Sequence, residues 1–550
     1  ISLLIMKAGH VQNEDGRNYN LDNNTTKDVE PQKIFTEIDK NLDFLKYKYN
    51  ALICNDVIIR EFSLLAQNIE YKAFVMYIDG MVDSPVINEF ILSPLMMRNR
   101  ANIFDDKQKK FVSEKKIDNV TLKNFKKSKE KNLVDFIYNS LIPQNSVDKV
   151  TDFSDVYSAI NMGNCMLFVD SLDTAFNLDV KGFKQRNIEI VVRGSQEAFV
   201  ENIRTNTSMI RRLVNNENLV METLTVGQIT KTQVSIGYIK SLANEDLVAE
   251  VRYRINNLSV DYLISSGQLE QLIQDSPESL FPQMVATERP DKVSNFLLEG
   301  RVVIVVNGSP YVLVAPGVFV DFITSPEDLN LKYQFSNMQK LIRLIAIFLS
   351  LLLPGMYIAI INYHQELIPT ELLFTIAAAR ESVPFPTFVE ILLMEISFEL
   401  IREAGLRVPT PLGSTIGIVG ALILGEAAVS ASLVSPVLII IIAITGICSF
   451  SIPDFSLNFT FRIYRFIYII LGYVAGFLGI SVVLFIQLVI MCKLKSFGSP
   501  YITPYILNKN KRSISSYFIP PIWKRERTSV FLHAQKKFSQ KKISMVWRKK

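Results

Sequence analysis

Over roughly the first 340 residues, apolar and polar positions alternate in short runs; over the next 150 or so the chain is strongly apolar. In the first part, Ala73–Gly80, Met166–Val169, Ile188–Val192 and Val302–Val306 are short apolar runs bounded by turn formers, which predicts buried strands. Asn307-Gly308 followed by Tyr311–Val314 predicts a hairpin closing on the last of these. Glu197–Val214 and Asp246–Asn257 read as helices. In the second part, Leu344–Ile361 is 18 residues without a charge, broken by Pro354-Gly355. Leu412–Ile452 is 41 residues with one charge, Glu426. At about 1.5 Å per residue it reaches roughly 60 Å, twice a ~30 Å hydrocarbon core, so it should be a helical hairpin turning near Ser432–Pro436. Phe466–Cys492 is 27 residues without a charge and reads as a plain anchor.

These patterns predict an α+β chain with an all-α membrane domain. Residues 1–33, rich in Asn, Asp and Thr, are a disordered tail. Residues 34–145 and 146–335 form two small cytoplasmic α/β subdomains. Residues 336–495 are the transmembrane domain, with spans at 344–361, 412–433, 434–452 and 466–492 and an acidic amphipathic or re-entrant helix at 385–404. Residues 496–550 are a basic tail.

Charge orients this arrangement. Lys493–Lys550 holds fifteen Lys or Arg and one acid, Glu526. An excess of basic residues after a span marks the cytoplasmic side. Lys340 and Arg343 agree with that orientation, and Arg462 and Arg465 oppose it. Four spans put both termini in the cytoplasm. The Lys-dense stretch 105–132 is either a membrane-surface contact or a solvated insertion. Ile1–Met6 is too short for a signal-peptide core, so no cleavable signal is expected.

Chemistry is sparse. The net charge of +5 is too small for a nucleic-acid binder. Four cysteines without CxxC spacing and three scattered histidines leave no material for a disulfide scaffold, a metal site or a His-based triad. No phosphate-binding, nucleophile-elbow or zinc-protease motif is present. We expect no enzyme, no metal and no cofactor.

The acidic helix is the exception. It follows Pro384-Phe385-Pro386 and carries Glu390, Glu395, Glu399 and Glu403 on an otherwise apolar sequence. The last three are spaced by four and form one stripe. Such charges cannot face lipid freely. Either they line an aqueous cation path, as carboxylate rings do in cation channels, or the helix lies at the membrane interface with its stripe toward water and packs subunits together. Glu426, inside a span, is an ion-pathway candidate or a packing residue. Pro354-Gly355 is a gating hinge or a tolerated kink. Gly413 with Gly417, and Gly472 with Gly476, have the spacing that lets helix backbones approach.

Several stretches together resemble one family. They are Ala379–Pro386, Met394-Glu395, Arg402–Pro409, Ile418–Leu422, Val434–Pro436, Thr445–Ile447, Ser449-Phe450 and Pro453, and, in the first part, Arg193–Phe199 and Arg204–Thr207. The chain resembles the GerA family, the A subunits of nutrient receptors that trigger bacterial spore germination, over roughly residues 35–495. The resemblance implies a two-part cytoplasmic domain and a membrane domain in the inner spore membrane. It implies a transporter-like, nutrient-binding B subunit and a lipoprotein C subunit as partners. It also implies a homo-oligomer forming a ligand-gated monovalent-cation channel. A non-conducting scaffold or signal-transducing subunit is the alternative. A secondary transporter would need an internal repeat of spans, and none is visible.

Overall fold

A computed structural model describes residues 33–66, 69–96, 133–142, 146–180, 194–407 and 425–503, with Phe518, Ile519, Pro521 and Gln535. The expected N-terminal tail up to residue 32, the Lys-dense stretch 105–132, the strand at Ile188–Val192, the Gly413 and Gly417 pair, residues 412–424 of the second span and most of the basic tail lie outside the described residues.

The first unit begins with α1 (Ile38–Lys48) and the hairpin β1 (Val57–Ala66) and β2 (Ile69–Ile78). It continues with β3 (Val147–Val150), α2 (Phe153–Asn161), β4 (Cys165–Val169) and β5 (Ala175–Leu178). Its antiparallel sheet has the order β1-β2-β4-β5-β3. This corrects the expected boundary at 145. β4 pairs with β2, so residues 146–180 complete the first sheet rather than open the second unit. An apolar run predicts a strand but not the sheet it joins, and the polar stretch before it reads as a linker.

The second unit begins with α3 (Ile203–Leu213) and the hairpin β6 (Leu219–Val226) and β7 (Thr232–Ile239), followed by α4 (Glu245–Asn256) and α5 (Ser266–Ile273). It ends with β8 (Val285–Thr287), α6 (Pro290–Leu298), β9 (Val302–Val306) and β10 (Val312–Ala315). Its order, β6-β7-β9-β10-β8, is the first sheet's order shifted by five, and every pairing is again antiparallel. The helix expected from Glu197 starts later, at Ile203, because the Asn202 side chain accepts from the backbone N–H groups of Arg204 and Thr205 and caps it.

The two units share more than strand order. In α1, buried Asn41 accepts from Phe35 N at 2.9 Å and donates to Phe35 O at 2.6 Å. In α3, buried Asn206 does the same with Val200 N at 2.8 Å and Val200 O at 2.6 Å. Each Asn is the fourth residue of its helix and clamps the residue six positions earlier. The units are joined by a buried ion pair. Arg211 of α3 holds Asp56 through Nε and through Nη2, the latter at 2.8 Å, and also donates to Leu219 O at 3.2 Å. Arg204 pairs with Asp79, and a side chain at Gly80 would meet Arg204 O at 2.9 Å.

The C-terminal region is helical: α7 (Tyr333–Tyr363), α8 (Thr370–Arg380), α9 (Thr387–Arg407), α10 (Pro436–Phe450) and α11 (Phe455–Lys493). By length and composition, α7 and α11 are the two helices able to cross a membrane among the described residues. The turn expected near Ser432–Pro436 is present, with Ser432 at φ 55° and α10 starting at Pro436.

One expectation changes. The span at 466–492 is not a single straight crossing. At Gly476, φ is 61° and ψ is −140°, and the helix folds back there. Tyr468 donates its hydroxyl to Gln487 Oε1 at 2.7 Å, although 19 helical residues would separate them by roughly 28 Å. Gly479 lies against Leu471 O. The arms 455–475 and 477–493 therefore form a hairpin, and only glycine tolerates that backbone without strain. Periodicity cannot show it, because both arms are apolar.

Candidate functional site: buried charge in the membrane helices

Helix α9 is turned inside out relative to a helix of a water-soluble protein. Leu393, Ile396 and Leu400 on its outer face are exposed, Leu400 to 65%, while Glu390 and Glu395 are buried at 1% and 0%. An exposed apolar face with carboxylates inward suits a lipid or subunit environment, where water cannot solvate the charges. It differs from the expectation of a stripe turned toward water. Glu395 is fully buried, Glu399 is half-buried and only Glu403 is exposed.

Two polar clusters result. At the end of α9 away from the α/β units, Glu390 Oε2 accepts from Ser435 N at 3.2 Å, and Arg380 of α8 lies 3.5 Å from Oε1. Buried Tyr357 of α7 takes part in the same apolar cluster as Ile391 and Val434. At the other end, Arg465 Nη1 of α11 donates to Glu395 Oε2 at 2.9 Å and lies 3.8 Å from Glu399 Oε1. Arg462 contacts Glu399 Oε2 at 3.3 Å. Arg402 approaches Glu399 Oε1 at 3.3 Å and donates to Ser449 Oγ of α10 at 3.0 Å. Phe398 and Phe450 stack on Arg402 at 4.7 and 5.3 Å. Among the described residues, three guanidiniums, those of Arg402, Arg462 and Arg465, gather around the carboxylates of Glu395 and Glu399. Arg465, 1% exposed, also donates from Nε to Ser350 O of α7 at 2.8 Å, so it joins three helices. Removing one partner of such a buried pair costs about 3–5 kcal/mol.

The remaining candidates sit elsewhere. Glu426 is exposed, outside both clusters. Pro354 and Gly355 are buried inside an unbroken α7. Gly355 marks a helix crossing: a side chain there would meet Tyr468 O at 2.8 Å, and one at Gly472 would meet Gly355 O at 2.7 Å. The structure thus brings Gly355 and Gly472 together.

Sequence reasoning missed the cationic half of the network. Arg402 lies three residues after Glu399 on the same face, and Arg462 and Arg465 share a face three apart. Arg380, Arg402 and Ser449 stand inside the family-like stretches. Of these, only Arg402 could have been proposed as a partner of Glu399 on spacing alone.

The C-terminal helices meet the second α/β unit through several contacts. Asp454 caps α11, accepting from Leu457 N at 2.9 Å. Thr460 donates to Leu280 O. After the hairpin, Gly317 N donates to Ser496 Oγ at 3.1 Å and Phe319 N to Tyr501 O at 2.9 Å. Burial and the neighbouring Asp454 carboxylate push Glu270 of α5 up to about 7. Among the described residues no group of three or more metal-ligating side chains comes together.

Residues 43–530 match the family model described as Bacillus/Clostridium GerA spore germination protein. The chain is 36% identical to spore germination protein KA of Bacillus subtilis (strain 168), over 93% of this chain and 90% of that protein. It is 34% identical to spore germination protein B1 of the same organism, over 86% and 92%. It is also 36% identical to the uncharacterized membrane protein YfkQ, over 87% and 88%. A crystal structure of the N-terminal domain of the A subunit of the Bacillus megaterium spore germinant receptor GerK3 aligns at 29% identity and a TM-score of 0.37, covering 53% of this chain and 98% of that one. With the family model spanning most of its length, the chain belongs to the GerA family of spore germination proteins.

Proposed function

We propose that this chain is the A subunit of a nutrient germinant receptor, anchored in the inner spore membrane with its α/β units and C-terminal tail in the cytoplasm. It assembles as a homo-oligomer with a transporter-like B subunit that binds the nutrient and a lipoprotein C subunit. In that complex its membrane helices gate the release of monovalent cations. The observation that carries the membrane reading is α9, whose apolar face is exposed while Glu390 and Glu395 are buried. The return of Ser496 to Gly317 supports both ends of the membrane domain on one side. We infer that the single crossing expected at 466–492 is instead a hairpin turning at Gly476. Cysteine accessibility on either side of Gly476 tests this.

One observation favours the alternative of a transducing subunit that does not itself conduct through the stripe. Arg465 and Arg462 already neutralise Glu395 and Glu399 within the chain, so in this conformation the carboxylates are not free to coordinate a cation. A conducting state through them requires those pairs to part. Potassium efflux from liposomes holding the full receptor decides between the readings. Glu395→Gln and Glu399→Gln should alter nutrient-evoked flux without preventing assembly. Normal flux from both variants would remove the stripe from the pathway, and no flux from the native receptor would favour the transducing subunit.

A further inference from the structure

The hydrogen-bond ladders of α7 and α11 are each broken once, at Pro354 and at Gly476, and each break lies against a side chain of the other helix. Pro354 has no N–H, so the carbonyl of Ser350, four residues earlier, loses its helical donor. Arg465 Nε of α11 donates to that carbonyl at 2.8 Å. In α11, the break at Gly476 deprives the preceding turn of its donors. The Tyr363 hydroxyl of α7 lies 2.8 Å from Tyr473 O and 3.0 Å from Val474 O and serves them. Between the two sockets the helices cross at Gly355 and Gly472, backbone against backbone. Each helix supplies the side chain that fills the other's gap.

We infer that Pro354 and Gly476 are matched breaks whose freed carbonyls are sockets for Arg465 and Tyr363, and that the Pro354 socket is what holds Arg465, and through it Glu395, inside the membrane unit. The chemistry is that of a buried cation. A guanidinium away from water needs acceptors for its several N–H groups, and one carboxylate oxygen at 2.9 Å does not satisfy them. The Ser350 carbonyl supplies a second acceptor from a different helix. Continuous helix at residue 354 would engage that carbonyl in its own hydrogen-bond ladder and leave it a weaker acceptor for Arg465. Arg465 is then a positioning residue: it orients Glu395 and ties α9 to α7 and α11. The sockets flank the glycine crossing, so tilting α7 on α11 about that point withdraws both side chains together.

The test is a double-mutant cycle on the full-length chain in detergent, read as melting temperature. Arg465→Met should lower it by several degrees. In the Pro354→Ala background the same substitution should cost about half as much, because the backbone N–H restored at position 354 takes the carbonyl that Arg465 has left. Equal losses in the two backgrounds would overturn the inference and leave Arg465 as a partner of Glu395 alone. If Arg465→Met does not fold, Arg465→Lys replaces it. Lysine keeps the charge near Glu395 but cannot reach both acceptors, and the same halving or equality decides. For the second socket, Tyr363→Phe should speed amide exchange at 475–480 several-fold over exchange at 344–352. Unchanged exchange at 475–480 would remove that socket.

Discussion

Glu270→Gln should make the protein's stability less sensitive to pH, and the sign can be worked from the junction. Glu270 lies in α5, mostly buried, near Asp454 at the cap of α11, and Lys292 lies near Asp454 in turn. Its folded-state value, about 7, stands above the ordinary 4.5 because burial and a like charge both disfavour ionisation. The folded chain therefore binds this proton more tightly than the unfolded chain does. Below pH 4.5 both states are protonated and the group costs nothing. As pH rises from 4.5 to 7, the unfolded chain releases its proton first and folding loses stability. Above 7 the loss is complete, roughly 3 kcal/mol at about 1.4 kcal/mol for each tenfold change in proton affinity. Melting of the full chain in detergent from pH 4.5 to 8 measures it. The variant should match the native chain at pH 4.5 and exceed it increasingly up to pH 7.5. Parallel curves, or a variant less stable at pH 8, would refute the placement of Glu270 against Asp454.

Two further substitutions test the fold. Asn41→Ala and Asn206→Ala each remove a side chain that satisfies both the N–H and the C=O of one residue, so each should cost about 2–4 kcal/mol, and by similar amounts, in chemical unfolding. A large effect from one with none from the other would argue against equivalent clamps. Gly472→Ala places a methyl against the Gly355 carbonyl and should cost about 1–3 kcal/mol, seen as a lower melting temperature, whereas Gly425→Ala, with only Ile439 nearby among the described residues, at 3.8 Å, should cost much less.

What the sequence made legible followed from local pattern. β2, β4, β9 and β10 lie where short apolar runs and the Asn307-Gly308 turn put them, and α4 is offset by one residue from its expected bounds. The family-like stretch Arg204–Thr207 was visible, and its roles prove to be a clamp by Asn206 and an inter-unit pair by Arg204. Long-range pairing was not legible. Nothing in Cys165–Val169 says that β4 joins β2 across the intervening residues. The fold-back at Gly476 was hidden because glycine in an apolar helix reads equally as a packing contact. The acid stripe was legible as unusual, but two of its partners, Arg462 and Arg465, lie on α11 some 65 residues later, and only packing brings them there.

The hairpin α11 has a mechanical consequence. Both of its feet rest on the second α/β unit, one through Thr460 on Leu280 and the other through Ser496 at Gly317. A rod with a single foot would transmit a push from that unit as simple translation. A folded rod with two feet responds to the difference between them: a rotation of the unit drives one arm inward as it draws the other out, and the bend at Gly476 turns that shear into torque at the far end of the hairpin. The α/β unit then acts less as a weight hung on the helices than as the handle by which they are twisted.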